Sequence, residues 1–167
     1  MIRYDLPLYR PPSEARSLIL QATIGCSHNR CAFCVSYRNK RFRARHETDL
    51  FAEIDWAARE MPYARRVFLA DGDAFVLSTN RLLRILERLR ASFPRLERVS
   101  AYARPQNFSK KSVSDMRRLR EAGLAMLFVG AESGDDEILR RIDKGATAEE
   151  MIALCAKPQE AGIALSI

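Results

Sequence analysis

Short apolar runs alternate along the chain with longer segments in which apolar residues recur at helical spacing. The runs that predict strands cover residues 17–24, 66–70, 98–103 and 125–131, and a fifth run begins at Gly162. Each run is bounded by polar or turn-forming residues. This pattern is typical of strands that are buried on both faces of a parallel sheet.

The segments between these runs have the spacing and the end signals of amphipathic helices. One repeat at i, i+3, i+4 and i+7 comprises Leu82, Ile85, Leu86 and Leu89, after the candidate caps Ser78 and Thr79. Ser112 and Asp115 predict a capping box at the start of another helix. Thr147 and Glu150 predict a second box, and Pro158 is expected to kink or shorten the helix that follows it.

Strands and helices in alternation predict right-handed crossovers, and therefore an α/β fold with a parallel sheet. The pattern alone does not distinguish an open, doubly wound sheet from a barrel. We interpret the roughly five strand–helix repeats as a partial TIM-type (β/α) barrel. It forms a single domain, residues 1–167, in which residues 1–16 are an N-terminal extension. Because the last run stops inside an apparent strand, we expect the chain to be the front part of a longer barrel.

The composition is that of an ordinary globular protein, with 47% hydrophobic and 29% charged residues in a chain of 167. Gly and Pro number only 7 each, which excludes a fibrous or low-complexity chain. No apolar stretch approaches the roughly 18 residues that a membrane span needs. The N-terminal sequence also lacks the apolar core of a secretory signal. We therefore expect a cytoplasmic protein without a membrane partner.

Three of the four cysteines, Cys26, Cys31 and Cys34, lie close together directly after the first predicted strand. Clustered thiolates select zinc or an iron–sulfur cluster. Three ligands without an obvious fourth suit a [4Fe–4S] cluster with one open iron. A closed zinc site needs a fourth ligand, for which His28 and Cys155 are the candidates. Three buried cysteines acting as small hydrophobic residues are a further alternative, and Cys155 itself is expected in the core.

Polar residues follow the other predicted strands at their carboxyl ends, where sites collect in parallel α/β folds. They are Asp71-Gly72-Asp73 after the second strand, Arg104 after the third and Glu132-Ser133 after the fourth. Taken singly, such residues are ordinary loop formers and helix caps. Together with the cysteines at one rim, they predict a functional site.

This combination resembles the radical S-adenosylmethionine (radical SAM) superfamily, over nearly the whole chain from about Ser17. The resemblance implies that Cys26, Cys31 and Cys34 hold a [4Fe–4S] cluster whose open iron chelates SAM. The spacing Cx4Cx2C has one residue more than the commonest spacing of the family. The resemblance also implies that Phe33 lies by the adenine of SAM.

Two further segments carry implied SAM contacts. Asp71-Gly72-Asp73 stands where the family has Gly-Gly-Glu and implies a contact with the SAM amino group. The segment VGAESGDDEILRRIDKG is similar to methylthiotransferase-like and coproporphyrinogen-dehydrogenase-like members. It implies that Glu132 bonds the ribose, supported by Ser133, and that Lys144 pairs with the methionyl carboxylate. Helix capping for Glu132 and a helix-dipole contact for Lys144 are the plainer alternatives.

The implied activity is reductive cleavage of SAM to a 5′-deoxyadenosyl radical that abstracts hydrogen from an unknown substrate. The net charge of +7 concentrates in residues 38–45 and on the helix with Arg117, Arg118 and Arg120. A basic patch favours a ferredoxin or flavodoxin as electron donor, or a phosphate-bearing substrate such as tRNA; a solvated face is the alternative. The competing function is a zinc-containing nucleic-acid-binding module without catalysis.

Overall fold

The computed structural model describes all 167 residues and contains seven strands and five α-helices. The strands are β1 (Leu18–Gln21), β2 (Thr23–Ile24), β3 (Arg43–Ala44), β4 (Arg66–Ala70), β5 (Arg98–Ala103), β6 (Leu124–Val129) and β7 (Ala164–Ser166). The helices are α1 (Glu47–Glu60), α2 (Thr79–Ser92), α3 (Val113–Glu121), α4 (Asp136–Arg141) and α5 (Ala148–Glu160). Short 3₁₀ helices lie at Pro12–Glu14, Ala74–Val76 and Pro105–Lys110.

Five strands form one parallel sheet in the order β1-β4-β5-β6-β7, which follows their order along the chain. The predicted first strand, residues 17–24, is wrong in one respect, because it divides at Ala22. Residues before Ala22 pair with β4, whereas Thr23 pairs with Ala44 in a separate antiparallel ribbon of β2 and β3. The chain therefore turns away from the sheet just before the cysteines.

The two faces of the sheet have different partners. Leu18 and Leu20 belong to the large core cluster beneath the helices, whereas Ile19 belongs to a smaller cluster with Phe68 and Phe128. Because successive side chains of a strand point to opposite faces, the smaller cluster lies on the face away from the helices.

The predicted N-terminal extension, residues 1–16, is packed against the sheet. Leu8 packs on the small cluster, and the Tyr4 hydroxyl donates to the carbonyl oxygen of Ile19 at 2.9 Å. Glu14 is completely buried and accepts hydrogen bonds from Arg98 at 2.7 Å and from Ser100 at 2.9 Å. This segment is therefore part of the domain.

The helix ends follow the sequence signals closely. The capping boxes of Ser112 and Thr147 are confirmed at the starts of α3 and α5. Ser78 occupies the cap position of α2, but its side chain makes no capping hydrogen bond. Pro158 lies within α5, which ends two residues later at Glu160. No helix combines the length and the apolarity that crossing a bilayer requires.

Candidate functional site

Four loops meet at the carboxyl ends of the parallel strands, and they carry the predicted site residues. The first, which we name the cysteine loop, comprises residues 25–42 between β2 and β3. The others follow β4, β5 and β6. Their proximity is a consequence of parallel pairing, which brings the carboxyl ends of neighbouring strands to one rim.

Cys26, Cys31 and Cys34 are all half-buried free thiols in the cysteine loop. A turn brings the amide of Cys34 to the carbonyl oxygen of Cys31 at 3.1 Å. The exposed Arg38 folds over this turn and donates to the carbonyl oxygens of Cys31 and Cys34, each at 3.0 Å. Burial raises the pKa of the Cys31 thiol, which the nearby Lys144 opposes.

No three His, Cys, Asp or Glu side chains converge on one point in the way that the ligands of a single metal ion do. A cubane cluster requires a wider arrangement, because each of its thiolate ligands binds a different iron. His28, the candidate fourth zinc ligand, instead donates through Nε2 to the carbonyl oxygen of Asp143 at 2.5 Å.

The cysteine loop docks on the segment that follows α4, residues 142–145. The amide of Ala32 donates to the carbonyl oxygen of Ile142 at 2.8 Å, next to the contact between His28 and Asp143. Arg30 pairs with the Asp143 carboxylate at 3.3 Å. The docked segment also contains Lys144, so these contacts hold this predicted residue next to the cysteine loop.

The side chains of Glu132 and Lys144 are brought together. Lys144 Nζ lies 3.3 Å from Oε1 of Glu132, with the lysine side chain buried and 33% of the glutamate side chain exposed. Glu132 has φ 72°, a left-handed conformation that is uncommon for a residue with a side chain. Ser133 instead accepts a hydrogen bond from the amide of Asp135 at 3.0 Å, at the start of α4.

The three residues after β4 are not equivalent. Asp71 and Asp73 are completely buried, and only Gly72 between them is accessible. A Cβ atom on Gly72 would collide with the ring of Tyr37, so glycine is required for the ring to lie against the backbone here.

The Asp73 carboxylate accepts hydrogen bonds through Oδ2 from Ser27 and, at 3.4 Å, from Asn107. Its other oxygen, Oδ1, is buried without a donor. Burial raises the pKa of this carboxyl, and the two hydrogen bonds oppose the shift. Oδ1 of Asp73 is therefore an unpaired acceptor at the site, on the same carboxylate that binds Ser27, the residue after Cys26.

A cavity of about 850 Å³ opens beside Glu132 and Ser133. Its other wall is the apolar side of α5, with Met151 and Ile152. This volume falls within the usual range for small-molecule sites. Cys155 lines the same cavity and packs against the large core cluster, but it is only half-buried and not within the core as predicted.

Phe33 lies on the surface of the cysteine loop and is 52% exposed. The prediction that residues 38–45 form a solvated patch or a docking patch for a partner is wrong for two of their five charges. Lys40 is buried, and the half-buried Arg45 pairs with Glu53 at 2.6 Å. Arg38, Arg41 and Arg43 are exposed. Arg43 pairs with Asp5 at 3.0 Å on the surface.

The family model of the radical SAM superfamily matches residues 20–167 of the chain. The chain belongs to the radical SAM superfamily. The match begins inside β1 and includes every predicted site residue, and the N-terminal extension and the start of β1 lie outside it.

Known relatives of this radical SAM chain are much longer. The 4′-phospho-dehydrooxetanocin synthase of Priestia megaterium is 24% identical over 90% of this chain and 23% of its own length. The structure of OxsB, a cobalamin-dependent S-adenosylmethionine radical enzyme with aqua-cobalamin and S-adenosylmethionine bound, matches with a TM-score of 0.68. Identity there is 22%, over 93% of this chain and 24% of that one.

A second structure is that of the radical S-adenosylmethionine methyltransferase TsrM from Kitasatospora setae, with cobalamin and a [4Fe–4S] cluster bound. It matches with a TM-score of 0.65 and 25% identity, over 89% of this chain and 30% of that one. These matches confirm the predicted fold class, a parallel α/β sheet of the partial-barrel type. The chain spans between about a quarter and a third of the length of these relatives.

Enzymes of this superfamily bind a [4Fe–4S] cluster and SAM, and the rim contains groups that suit both. Three thiols in one loop are soft ligands of the type that iron–sulfur clusters require. The donorless oxygen of Asp73 and the carboxylate of Glu132 are acceptors, and Lys144 is a cation. SAM itself carries an ammonium group, ribose hydroxyls and a carboxylate.

Proposed function

We propose that the chain is the catalytic core of a radical SAM enzyme, with Cys26, Cys31 and Cys34 as the ligands of the [4Fe–4S] cluster. When bound and reduced, the cluster supplies the electron that splits SAM into methionine and a 5′-deoxyadenosyl radical for hydrogen abstraction. The residues of this chain bind and orient both groups at the rim.

The single observation that carries this proposal is the docking of the cysteine loop on residues 142–145. Two backbone acceptors, the carbonyl oxygens of Ile142 and Asp143, hold the loop beside Lys144. Lys144 in turn meets Glu132. The candidate cluster ligands and the candidate SAM ligands are therefore one connected structure, although about a hundred residues of chain separate them.

Within this site, Lys144 pairs with the methionyl carboxylate of SAM and Glu132 bonds the ribose. Ser133 supports Glu132 by fixing the start of α4. The tripeptide Asp71-Gly72-Asp73 contacts the SAM amino group through the accessible backbone of Gly72. Phe33 covers the adenine, a role for which its exposed ring is free.

The proposed catalytic core needs an electron donor and a substrate. The electron comes from a reducing protein of ferredoxin or flavodoxin type, in a cytoplasmic setting. Arg38, Arg41 and Arg43 are the exposed residues of the basic stretch, and they are the charges that a partner or substrate would meet. A phosphate-bearing substrate such as tRNA stays a prediction.

Reconstitution tests the proposal directly. We expect the anaerobically reconstituted chain to bind iron and sulfide in equal amounts and to release 5′-deoxyadenosine from SAM on reduction. Cys31→Ala should abolish the release, because the cluster loses a ligand. The matched control is Cys155→Ala, which removes a thiol of similar exposure outside the loop and should leave the iron and sulfide contents unchanged.

Two results would count against the proposal. A colourless protein with one zinc per chain would favour the zinc-containing nucleic-acid-binding module. Equal iron contents in the Cys31→Ala and Cys155→Ala variants would show that the loop does not hold the cluster.

A further inference from the structure

The cysteine loop begins and ends on the same buried carboxylate. Oδ2 of Asp71 accepts a hydrogen bond from the backbone amide of Gly25 at 3.0 Å and another from Nζ of Lys40 at 2.8 Å. The side chain of Asp71 has no exposed surface and that of Lys40 only 4%. One oxygen atom thus joins the residue before Cys26 to a residue near the far end of the loop.

Lys40 makes two further contacts that complete its hydrogen bonding. Its ammonium group also donates to the carbonyl oxygens of Asp5 and Pro7, the latter at 2.7 Å. An ammonium group has three N–H donors, so every one of them is engaged. Two of the three acceptors come from the N-terminal extension, which therefore belongs to the environment of the loop.

The two ends of the loop also touch each other directly. Gly25 has φ +73°, and a Cβ on it would lie only 3.2 Å from Cβ of Lys40. Inside the loop, the side-chain Nδ2 of Asn29 donates to the carbonyl oxygen of Tyr37 at 2.8 Å. The close approach at Gly25 and the Asn29 bridge both depend on the loop remaining closed.

We propose that the Lys40–Asp71 pair is a clamp that closes the cysteine loop and positions Cys26, Cys31 and Cys34 for the cluster. Lys40 and Asp71 are positioning residues, because they act through Gly25 and the loop backbone. The proposal rests on the proposed function for what the loop holds. The closure itself is a property of the chain without cofactors and is testable on its own.

The rate of thiol alkylation reports the closure, and Cys155 supplies an internal reference. In Lys40→Met we expect the three loop cysteines to react with iodoacetamide about tenfold faster, because the loop opens locally. The rate at Cys155, half-buried on α5, should stay unchanged. Mass spectrometry resolves the four sites. Lys110→Met, at an exposed lysine, is the matched control and should change none of the rates.

A second variant guards against loss of the fold. Lys40→Met leaves a buried carboxylate without its cation, whereas Lys40→Met with Asp71→Asn removes both charges and keeps an acceptor for Gly25. We expect the double variant to show the same selective increase. Parallel acceleration at all four cysteines in the double variant, or unchanged rates at the loop, would overturn the clamp.

The reconstituted protein gives an independent readout. The electron paramagnetic resonance spectrum of the reduced cluster should differ in g values between the double variant and the wild type, whereas the Lys110→Met spectrum should match the wild type. Identical spectra would contradict the positioning role. If the wild type takes up no cluster, the proposed function fails, while the alkylation rates still decide whether the clamp exists.

Discussion

Glu132 combines an unfavourable backbone conformation with a charged side chain at the rim. Its φ of 72° costs about 1–3 kcal/mol for a residue with a Cβ. The surrounding structure sustains this conformation, since Val129 ends β6 three residues before it and Ser133 begins the turn into α4 directly after it. Strained backbone of this kind clusters at functional sites, which supports the proposed role of Glu132 in binding SAM.

Two substitutions at Glu132 separate strain from function. We expect Glu132→Gly to be more stable than Glu132→Ala by about 1 kcal/mol, because only glycine adopts this conformation without cost. Both should weaken SAM binding, because both remove the carboxylate. Urea unfolding and equilibrium dialysis with SAM measure the two effects.

The matched control is Glu137→Ala, which removes an exposed carboxylate on α4 and should leave SAM binding unchanged. An alanine variant as stable as the glycine variant would contradict the strain argument. Undiminished SAM binding in both Glu132 variants would contradict the ligand role.

The positions of the cysteines and of Glu132 at the rim could be predicted from the sequence, whereas the burial of Lys40 could not. Three thiols close in sequence predict a metal centre. Lys40 lies in a run of basic residues, and its acceptors on Asp5, Pro7 and Asp71 are more than thirty residues away along the chain. Nothing in the local pattern marks such a lysine as buried, because the reason for its burial is supplied by the tertiary structure.

At the scale of the elements, strand boundaries were predictable where a buried run ends abruptly in polar residues. The bounds of β4 and β5 coincide with the predicted ones. The division of the first strand at Ala22 was not predictable, because Thr23 is as compatible with the sheet as its neighbours are. Its pairing with Ala44 depends on a contact across the whole cysteine loop.

Two serines at helix starts differ in a way that stability measurements detect. Ser112 accepts from the amide of Asp115 at 3.0 Å, whereas Ser78 makes no capping bond. We expect Ser112→Ala to lower the free energy of unfolding by about 1 kcal/mol. Ser78→Ala should have a much smaller effect. Chemical denaturation of both variants checks this. Equal losses of unfolding free energy in the two variants would contradict a stabilising role for the Ser112 capping bond.

At the scale of the whole molecule, a few buried titratable groups shape the dependence of stability on pH. Lys111 is buried, donates to the carbonyl oxygen of Phe75 at 2.9 Å and lies 4.6 Å from the centre of the Phe75 ring. Burial lowers the pKa of Lys111 to about 8, an effect opposed by Asp73 and Asp115. Burial raises the pKa of Tyr102 to about 12.

These two pKa shifts change the stability of the fold in opposite directions as the pH rises. Between about pH 8 and pH 10 the unfolded chain binds the Lys111 proton and the folded chain does not, so stability rises with pH. Above about pH 10 the folded chain retains the Tyr102 proton that the unfolded chain loses, so stability falls. A maximum near pH 10 is the net expectation from these groups.

Lys111→Met should remove the rise between pH 8 and pH 10, a change of up to about 3 kcal/mol in the free energy of unfolding. Lys110→Met, at the exposed neighbour, should keep the rise. Urea unfolding at several pH values under reducing conditions measures both. A persistent rise in Lys111→Met would assign it to another group.

The docking of the cysteine loop on residues 142–145 has a thermodynamic consequence. Ile142 and Asp143 hold the cysteine loop, and Lys144 belongs to the proposed SAM site. Ordering the cysteine loop therefore lowers the free-energy cost of ordering the SAM site, and the reverse is also true. Linkage requires such an effect to be reciprocal, so SAM would tighten the hold on the cluster by the same factor by which the cluster tightens the hold on SAM. The cluster and SAM would then bind to the chain cooperatively, even where they share no ligand residue.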